Sequence, residues 1–350
     1  MSTRDAGFST STEAPVQVRR IGVLGCGRIG RLHAQILAGD IPGFELVAVA
    51  DVVPAAAEGV AAATGARVSS IEDLLAADDI DTIAICTSTD THVDLVKRAA
   101  AAGKAIFCEK PVSLDLALVD EALDAVTAAG VPFMIGFNRR FDPGHKSVHD
   151  AVAAGRIGEI HTLRITSRDP APPPPAYVAV SGGIFLDMVI HDFDMARYVV
   201  GSDVVEVYAK GAVRVDPQIG QAGDIDTAVS ILTHADGTLT TIDNSREAVY
   251  GFDQRVEAFG NGGMAVSDNP SAHAGWAINR EGRAGQPLPW FFLDRYMESY
   301  RAEWRAFHNY LVSGGPSPAG TDAARACTLA ALAAKKSWLE GRPVKTSEIG

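Results

Sequence analysis

Asp187 and His191 stand four residues apart in Gly182-Gly183-Ile184-Phe185-Leu186-Asp187-Met188-Val189-Ile190-His191-Asp192. On a helix that spacing stacks them on one face, where the carboxylate can fix the imidazole tautomer and stabilise its protonated form. A neutral histidine near its usual pKa of about 6.5 is a suitable base for an alcohol proton. A histidine packed at an interface with Asp187 as its partner fits the same spacing. Asp194 continues the stripe, so a metal site can be drawn from Asp187, His191 and Asp194. No cysteine or second nearby histidine completes a zinc set, and no metal is expected.

Lys110, in Glu109-Lys110-Pro111, follows a run that reads as a strand. An ammonium there can donate a hydrogen bond to a reacting oxygen and favour alkoxide-like charge as hydride leaves. A solvated surface lysine is the plainer alternative. Gly25-Cys26-Gly27-Arg28-Ile29-Gly30 is a GxGxxG between a strand and a helix. Glycines permit the tight turn, and the helix N-terminus offers free N–H groups to a pyrophosphate. Asp51 ends the next strand about 20 residues on, placed to accept both ribose hydroxyls of adenosine and to repel a 2′-phosphate. Val52 and Val53 follow it, so no arginine welcomes that phosphate, and NAD is expected over NADP. Thr87, Ser88 and Thr89, ahead of Asp90, Thr91 and His92, follow the fourth strand. Thr87, Ser88, Thr89 and His92 are candidates to line the nicotinamide half of a dinucleotide site, with Glu109 and Lys110 beside them; capping of the next helix through Thr89, Asp90 or Thr91 is the equal alternative.

The elements that must carry these residues alternate from 21 to 136 between short β-branched runs and alanine-rich helical stretches, which predicts a doubly wound parallel sheet. Strands are expected at 21–24, 46–50, 66–68, 82–86, 105–108 and 133–135, with helices at 29–37, 55–63, 92–102 and 114–129. Glycines 65, 103 and 130 serve as stops. After Gly136 the rhythm changes, and a helix over 145–154 leads into a second, α+β domain with a mostly antiparallel open sheet. Its strands are expected at 160–166, 204–215, 227–232, 239–242, 255–259 and 264–266, and the chain closes with helices at about 295–312 and 322–339. The division is therefore a floppy leader at 1–18, a nucleotide-binding domain at 19–138 and the second, α+β domain at 139–350. Pro170 and the prolines up to Pro175 predict a stiff extended loop, as lid or connector.

The formal net charge of −12, without a lysine or arginine block, disfavours nucleic acid. Cys26, Cys86, Cys108 and Cys327 lack metal or redox spacing and read as reduced thiols of the cytoplasm. Arg19-Arg20 imitates an export signal, but the apolar stretch after it is too short. No segment approaches the ~20 apolar residues of a membrane span. GxSxG, HExxH and GxxxxGK[ST] motifs are absent from the sequence.

The glycine loop, Glu109-Lys110-Pro111, Gly136-Phe137-Asn138-Arg139-Arg140-Phe141-Asp142 and Asp187-xxx-His191 together resemble the Gfo/Idh/MocA oxidoreductase family over nearly the whole chain. The stretch from Ser181 to Asp194, with Asn244-Ser245-Arg246 and Tyr250 to Val256, is similar to its inositol 2-dehydrogenase branch. The resemblance implies NAD as cofactor, Lys110, Asp187 and His191 as the catalytic group, a cyclic polyol as substrate and a homotetramer built through the second-domain sheets. It makes 139–350 the substrate and oligomerisation domain, and implies oxidation of the inositol 2-hydroxyl to a ketone. Asn138, Arg168, Asp169 and Tyr250 are the candidates for the remaining hydroxyls. Where many relatives carry Thr-Pro after the fourth strand, this chain has Thr87-Ser88. Other inositol isomers or sugars fit the same machinery, and a silent NAD-binding sensor is the rival of another class.

Overall fold

The computed structural model describes residues 17–271, 273 and 275–350, so the expected leader falls outside it except for its last two residues. The first half is a six-stranded parallel sheet: β1 (Arg19–Leu24), β2 (Phe44–Ala50), β3 (Arg67–Val68), β4 (Thr82–Ile85), β5 (Ala105–Glu109) and β6 (Phe133–Gly136). Their order is β3-β2-β1-β4-β5-β6. Ile21, Val23, Leu24, Ile83, Ile85, Ile106 and Phe107 are fully enclosed, as expected of strands with helices on both faces. The helices are α1 (Arg28–Gly39), α2 (Pro54–Thr64), α3 (Ile71–Ala76), α4 (Thr89–Ala101) and α5 (Leu116–Ala129). Six-residue α3 lies in a stretch to which no helix was assigned. The strand order reverses between β1 and β4, which opens a crevice at their carboxyl ends beside Gly25 and Thr87.

The second half adds α6 (Pro143–Ala153), β7 (Ile160–Arg168), α7 (Pro175–Val178), α8 (Ile184–Asp187), α9 (Ile190–Val200), β8 (Val204–Ala212) and α10 (Pro217–Gln221). It continues with β9 (Thr227–His234), β10 (Leu239–Ser245), β11 (Asp253–Gly260), β12 (Gly263–Ser267), the small hairpin β13 (Ala277–Asn279) and β14 (Gly282–Ala284), α11 (Phe292–Ser313), α12 (Thr321–Glu340) and β15 (Val344–Lys345). Seven strands form one sheet in the order β12-β11-β7-β10-β9-β8-β15. It is mostly antiparallel, with β7 and β10 running parallel at its centre. Leu163, Ile165, Val207, Ala209, Ile242 and Val256 pack inward with Val189, Phe193, Ala196 and Ala330. The alternate residues Val229, Ile231, Leu239, Phe259, Met264 and Val266 leave the other face open.

The last helices return to the first sheet. Trp304 and Phe307 of α11 join the core beneath β5, with the Trp304 ring 4.4 Å from that of Phe107. The Ile135 N–H donates to the Ala319 carbonyl at 2.9 Å. Closing the chain in this way clamps the two halves, so both walls of the cleft are held by buried apolar contact.

Candidate active site

Gly27 begins α1 with no side-chain cap and no acidic residue in the first turn, so the leading N–H groups of the helix are open to an anion. A Cβ at Gly30 would collide with the Gly25 carbonyl oxygen, whereas nothing lies within 4 Å of one at Gly27. The loop is thus packed where the helix meets the strand and clear where a phosphate would lie. Arg28, at the loop's outer edge, sets its guanidinium 5.4 Å from the Phe291 ring, and Ile29 is partly buried behind it. Asp51 accepts the Cys26 N–H at 2.6 Å and the Val53 N–H at 2.7 Å, which holds its carboxylate at the strand end. Val52 beside it is exposed. These groups fit an adenosine ribose and a pyrophosphate.

Ser88 stands at the head of α4 without capping it, and Thr89, Asp90 and Thr91 do not cap it either. Thr91 instead bonds the Ser88 carbonyl at 2.8 Å and Thr87 Oγ1 at 2.6 Å. Ser88 and Thr89 remain at the crevice. Two expected cofactor contacts are corrected. His92 is 1% exposed, its ring nitrogens 2.8 Å from the Pro111 carbonyl and 3.1 Å from that of Thr87, so it ties those loops together from behind. Glu109 turns inward to His33 Nε2 at 2.8 Å, and Trp304 donates to His33 Nδ1. Glu109 is drawn inward by His33, 76 residues before it, and His92 by the carbonyls of the two loops that flank it.

Lys110 projects from the end of β5 across the cleft. Its Nζ donates to the Asp187 carbonyl at 2.8 Å and stands 3.7 Å from Asp187 Oδ1. The helix expected to carry Asp187 and His191 is broken at Met188 and Val189, so the two residues belong to α8 and α9. The stacked contact is not formed: Oδ1 accepts the Tyr177 hydroxyl at 2.8 Å and Oδ2 the Arg246 guanidinium at 3.2 Å. His191 Nδ1 is enclosed without a partner, and its ring meets Phe137 edge-on at 6.1 Å. Burial, then the charges of Lys110 and Arg139, push the imidazole well below its ordinary range. Its resting form is neutral, as a base requires. Asp194, the third member of the metal alternative, pairs with Arg140 at 2.5 Å.

Around this group, Arg139 donates to Asp192 at 2.6 Å, and Asn244 donates to the other oxygen of that carboxylate at 2.8 Å. Asn138 is buried with its Nδ2 unpartnered. Asp169 is raised to about 6 by burial, opposed by Arg246 and Arg139 and reinforced by Asp187 and Asp192. Arg168 points the other way. Strand alternation turns Ser167 toward Arg139 and places Arg168 on the open sheet face, paired with Asp243 at 2.8 Å. Tyr250 is bound there too, accepting from Arg168 and donating to Asp253 at 2.8 Å. These two expected substrate contacts are engaged away from Lys110, Asp187 and His191. Tyr177 and Arg246, which sequence reasoning passed over, touch Asp187 instead; no spacing rule links Arg246 to it across 59 residues.

The oxidoreductase family with an NAD-binding Rossmann fold matches residues 19–137, and the GFO/IDH/MocA C-terminal domain matches residues 145–266. The chain belongs to the Gfo/Idh/MocA oxidoreductase family. Among relatives in this family, it is 46% identical over 332 residues to a myo-inositol 2-dehydrogenase of Thermotoga maritima, covering 94% of this chain and 99% of that one. It is 47% identical over 326 residues to an inositol 2-dehydrogenase of Rhizobium meliloti, covering 93% and 98%. A Lactobacillus casei scyllo-inositol dehydrogenase solved with NAD(H) and scyllo-inositol superposes with a TM-score of 0.87 at 29% identity, covering 95% and 100%. The Gfo/Idh/MocA chain is therefore an NAD-binding oxidoreductase.

Proposed function

We propose that the chain oxidises the 2-hydroxyl of myo-inositol to the ketone, giving scyllo-inosose. The observation that carries this reading is the 2.8 Å bond joining Lys110 of the nucleotide half to Asp187 of the partner half, with His191 one turn further on. NAD, held by Gly25, Gly27, Gly30, Asp51 and the Thr87–Thr89 loop, supplies the hydride acceptor when bound. His191 Nε2, which makes no hydrogen bond and is not enclosed, takes the hydroxyl proton. Lys110 donates to the oxygen and steadies the charge that develops there. Asp187 holds Lys110 and Arg246 beside the carbinol, while Asn138 and Asp169 face the remaining hydroxyls. The carboxylate of Asp51 would repel a 2′-phosphate, which supports NAD over NADP.

The open sheet face, with Val229, Ile231, Phe259, Met264 and Val266 exposed on one surface, supports a homo-oligomer, a tetramer in our reading. Four free, buried cysteines support a reducing compartment such as the cytoplasm. Among the described residues no helix is long and apolar enough to cross a membrane.

The deciding experiment follows NADH formation with myo-, scyllo- and chiro-inositol and a panel of aldoses, using wild type, Lys110→Ala and His191→Ala. Turnover of myo-inositol that is lost in both variants is expected. Undiminished turnover in both would overturn the mechanism, and NAD binding without turnover of any polyol would favour a sensor.

A further inference from the structure

The proline tract has one chemically capable side chain at its end. From Asp169, beyond β7, the chain runs through Pro172, Pro173 and Pro174 into the single turn of α7, with φ locked at each proline. Val178, 3% exposed, anchors that turn. Tyr177, by contrast, is 47% exposed, and its hydroxyl reaches Asp187 Oδ1 at 2.8 Å. Gly182 and Gly183, both at φ +86, then swing the chain into α8, where Asp224 accepts the Ile184 N–H at 3.1 Å. Arm, glycine turn and helix thus form a short closed circuit with the phenol and the carboxylate at its junction.

Asp187 Oδ1 has two suitors. Tyr177 holds it at 2.8 Å, and Lys110 Nζ waits at 3.7 Å. With Oδ2 taken by Arg246, the carboxylate plane is fixed, and the ammonium is left bonded to the main-chain carbonyl instead. A main-chain carbonyl carries no net charge, so it holds Lys110 in place while leaving its remaining protons for the substrate oxygen.

We propose that Tyr177, delivered by the proline arm, is a positioning residue of the dehydrogenase site, which keeps the Asp187 carboxylate off Lys110 so that the ammonium stays directed at the reacting oxygen. Without the phenol, Oδ1 closes on Lys110 as a full ion pair and draws it away from the carbinol. The phenol is a durable donor, because partial burial and the neighbouring carboxylate push its ionisation far to the alkaline side, against the opposing charges of Arg246 and Arg28. This inference rests on the dehydrogenase reading of the site.

Tyr177→Phe removes one oxygen and keeps the ring. Its expected effect is a loss in kcat of roughly tenfold to a hundredfold, the scale of one hydrogen bond to a charged group, with the KM for NAD unchanged. Softening the arm with Pro172→Ala, Pro173→Ala and Pro174→Ala together gives a smaller loss, and adding Tyr177→Phe to that variant costs less than it does in wild type. A kcat within twofold of wild type in Tyr177→Phe, or full additivity of arm and tyrosine, overturns the proposal. A second measurement needs no substrate: the phenolate absorbance of wild type minus Tyr177→Phe titrates late, and Asp187→Asn brings it back toward an ordinary tyrosine. An ordinary phenolate titration in wild type also overturns the contact, whatever the substrate proves to be. Failure of wild type to oxidise any polyol, with the late titration present, would sink the dehydrogenase reading and leave the Tyr177 contact standing.

Discussion

Lys110 is held by the main chain of Asp187, at 2.8 Å from the carbonyl oxygen, more closely than by its carboxylate at 3.7 Å. The two halves of the cleft are therefore joined through an atom that no side-chain substitution at 187 removes.

Asp187→Ala should accordingly leave Lys110 in place and NAD binding intact while turnover falls. Cofactor affinity read by NADH fluorescence should change less than about twofold, and kcat should drop by roughly tenfold to a hundredfold, the scale of a lost charge-assisted hydrogen bond that fixes Arg246 beside the carbinol. An equal collapse of NAD binding would mean that the side chain, not the carbonyl, holds the lysine.

The pH profile of kcat/KM should carry an acid limb below the ordinary histidine range, because burial, Lys110 and Arg139 all favour neutral His191. Protonation removes the base, so activity falls as pH decreases through that depressed value. Lys110→Met deletes one of the opposing cations, and the limb of its residual activity should move to higher pH. A limb that stays put would show that the titrating group is not His191.

Asp169, raised to about 6, offers an acceptor carboxylate above that pH and loses it below. The KM for the polyol should rise as pH falls through about 6, and Asp169→Asn should have a higher KM without that inflection. Steady-state kinetics across this range in both proteins tests the assignment.

Burial drives His145 down from 6.5 to about 3, and neutral its ring bonds Ser267 and Tyr296. Between pH 6.5 and 3 the unfolded chain binds a proton there that the folded chain refuses. Stability is fully retained above that window and declines through it, by on the order of 5 kcal/mol in all. His145→Gln should be less stable at neutral pH and lose less on acidification, as read by urea unfolding at pH 7 and pH 4.

Local signals were enough for the first domain. GxGxxG, the β-branched runs and the alanine-rich helices each report on neighbours within about thirty residues, and a parallel sheet is assembled from such units. Asp51 and Lys110 were legible for the same reason: both end strands, and the strand ends of a doubly wound sheet share one rim. Asp187 and His191 were legible as residues but not as a pair, since a spacing of four implies contact only along an unbroken helix, and α8 stops at Asp187.

Arg168 shows the other limit. Its residue type suits a polyol hydroxyl, but a strand side chain takes one face or the other, and the register of β7 against β10 and β11 sends it to the open side with Asp243 and Tyr250. Arg246 and Tyr177 were missed because one follows the end of β10 and the other sits on the single turn of α7, and neither has a fixed spacing from Asp187. The sequence alone determined the chemistry available: a phosphate-binding turn, a strand-end ammonium and a carboxylate beside an imidazole. Tertiary structure decided which of these groups touch, because contact between distant residues depends on strand register, a helix break and the return of α11 and α12, and none of these leaves a periodic mark in the chain.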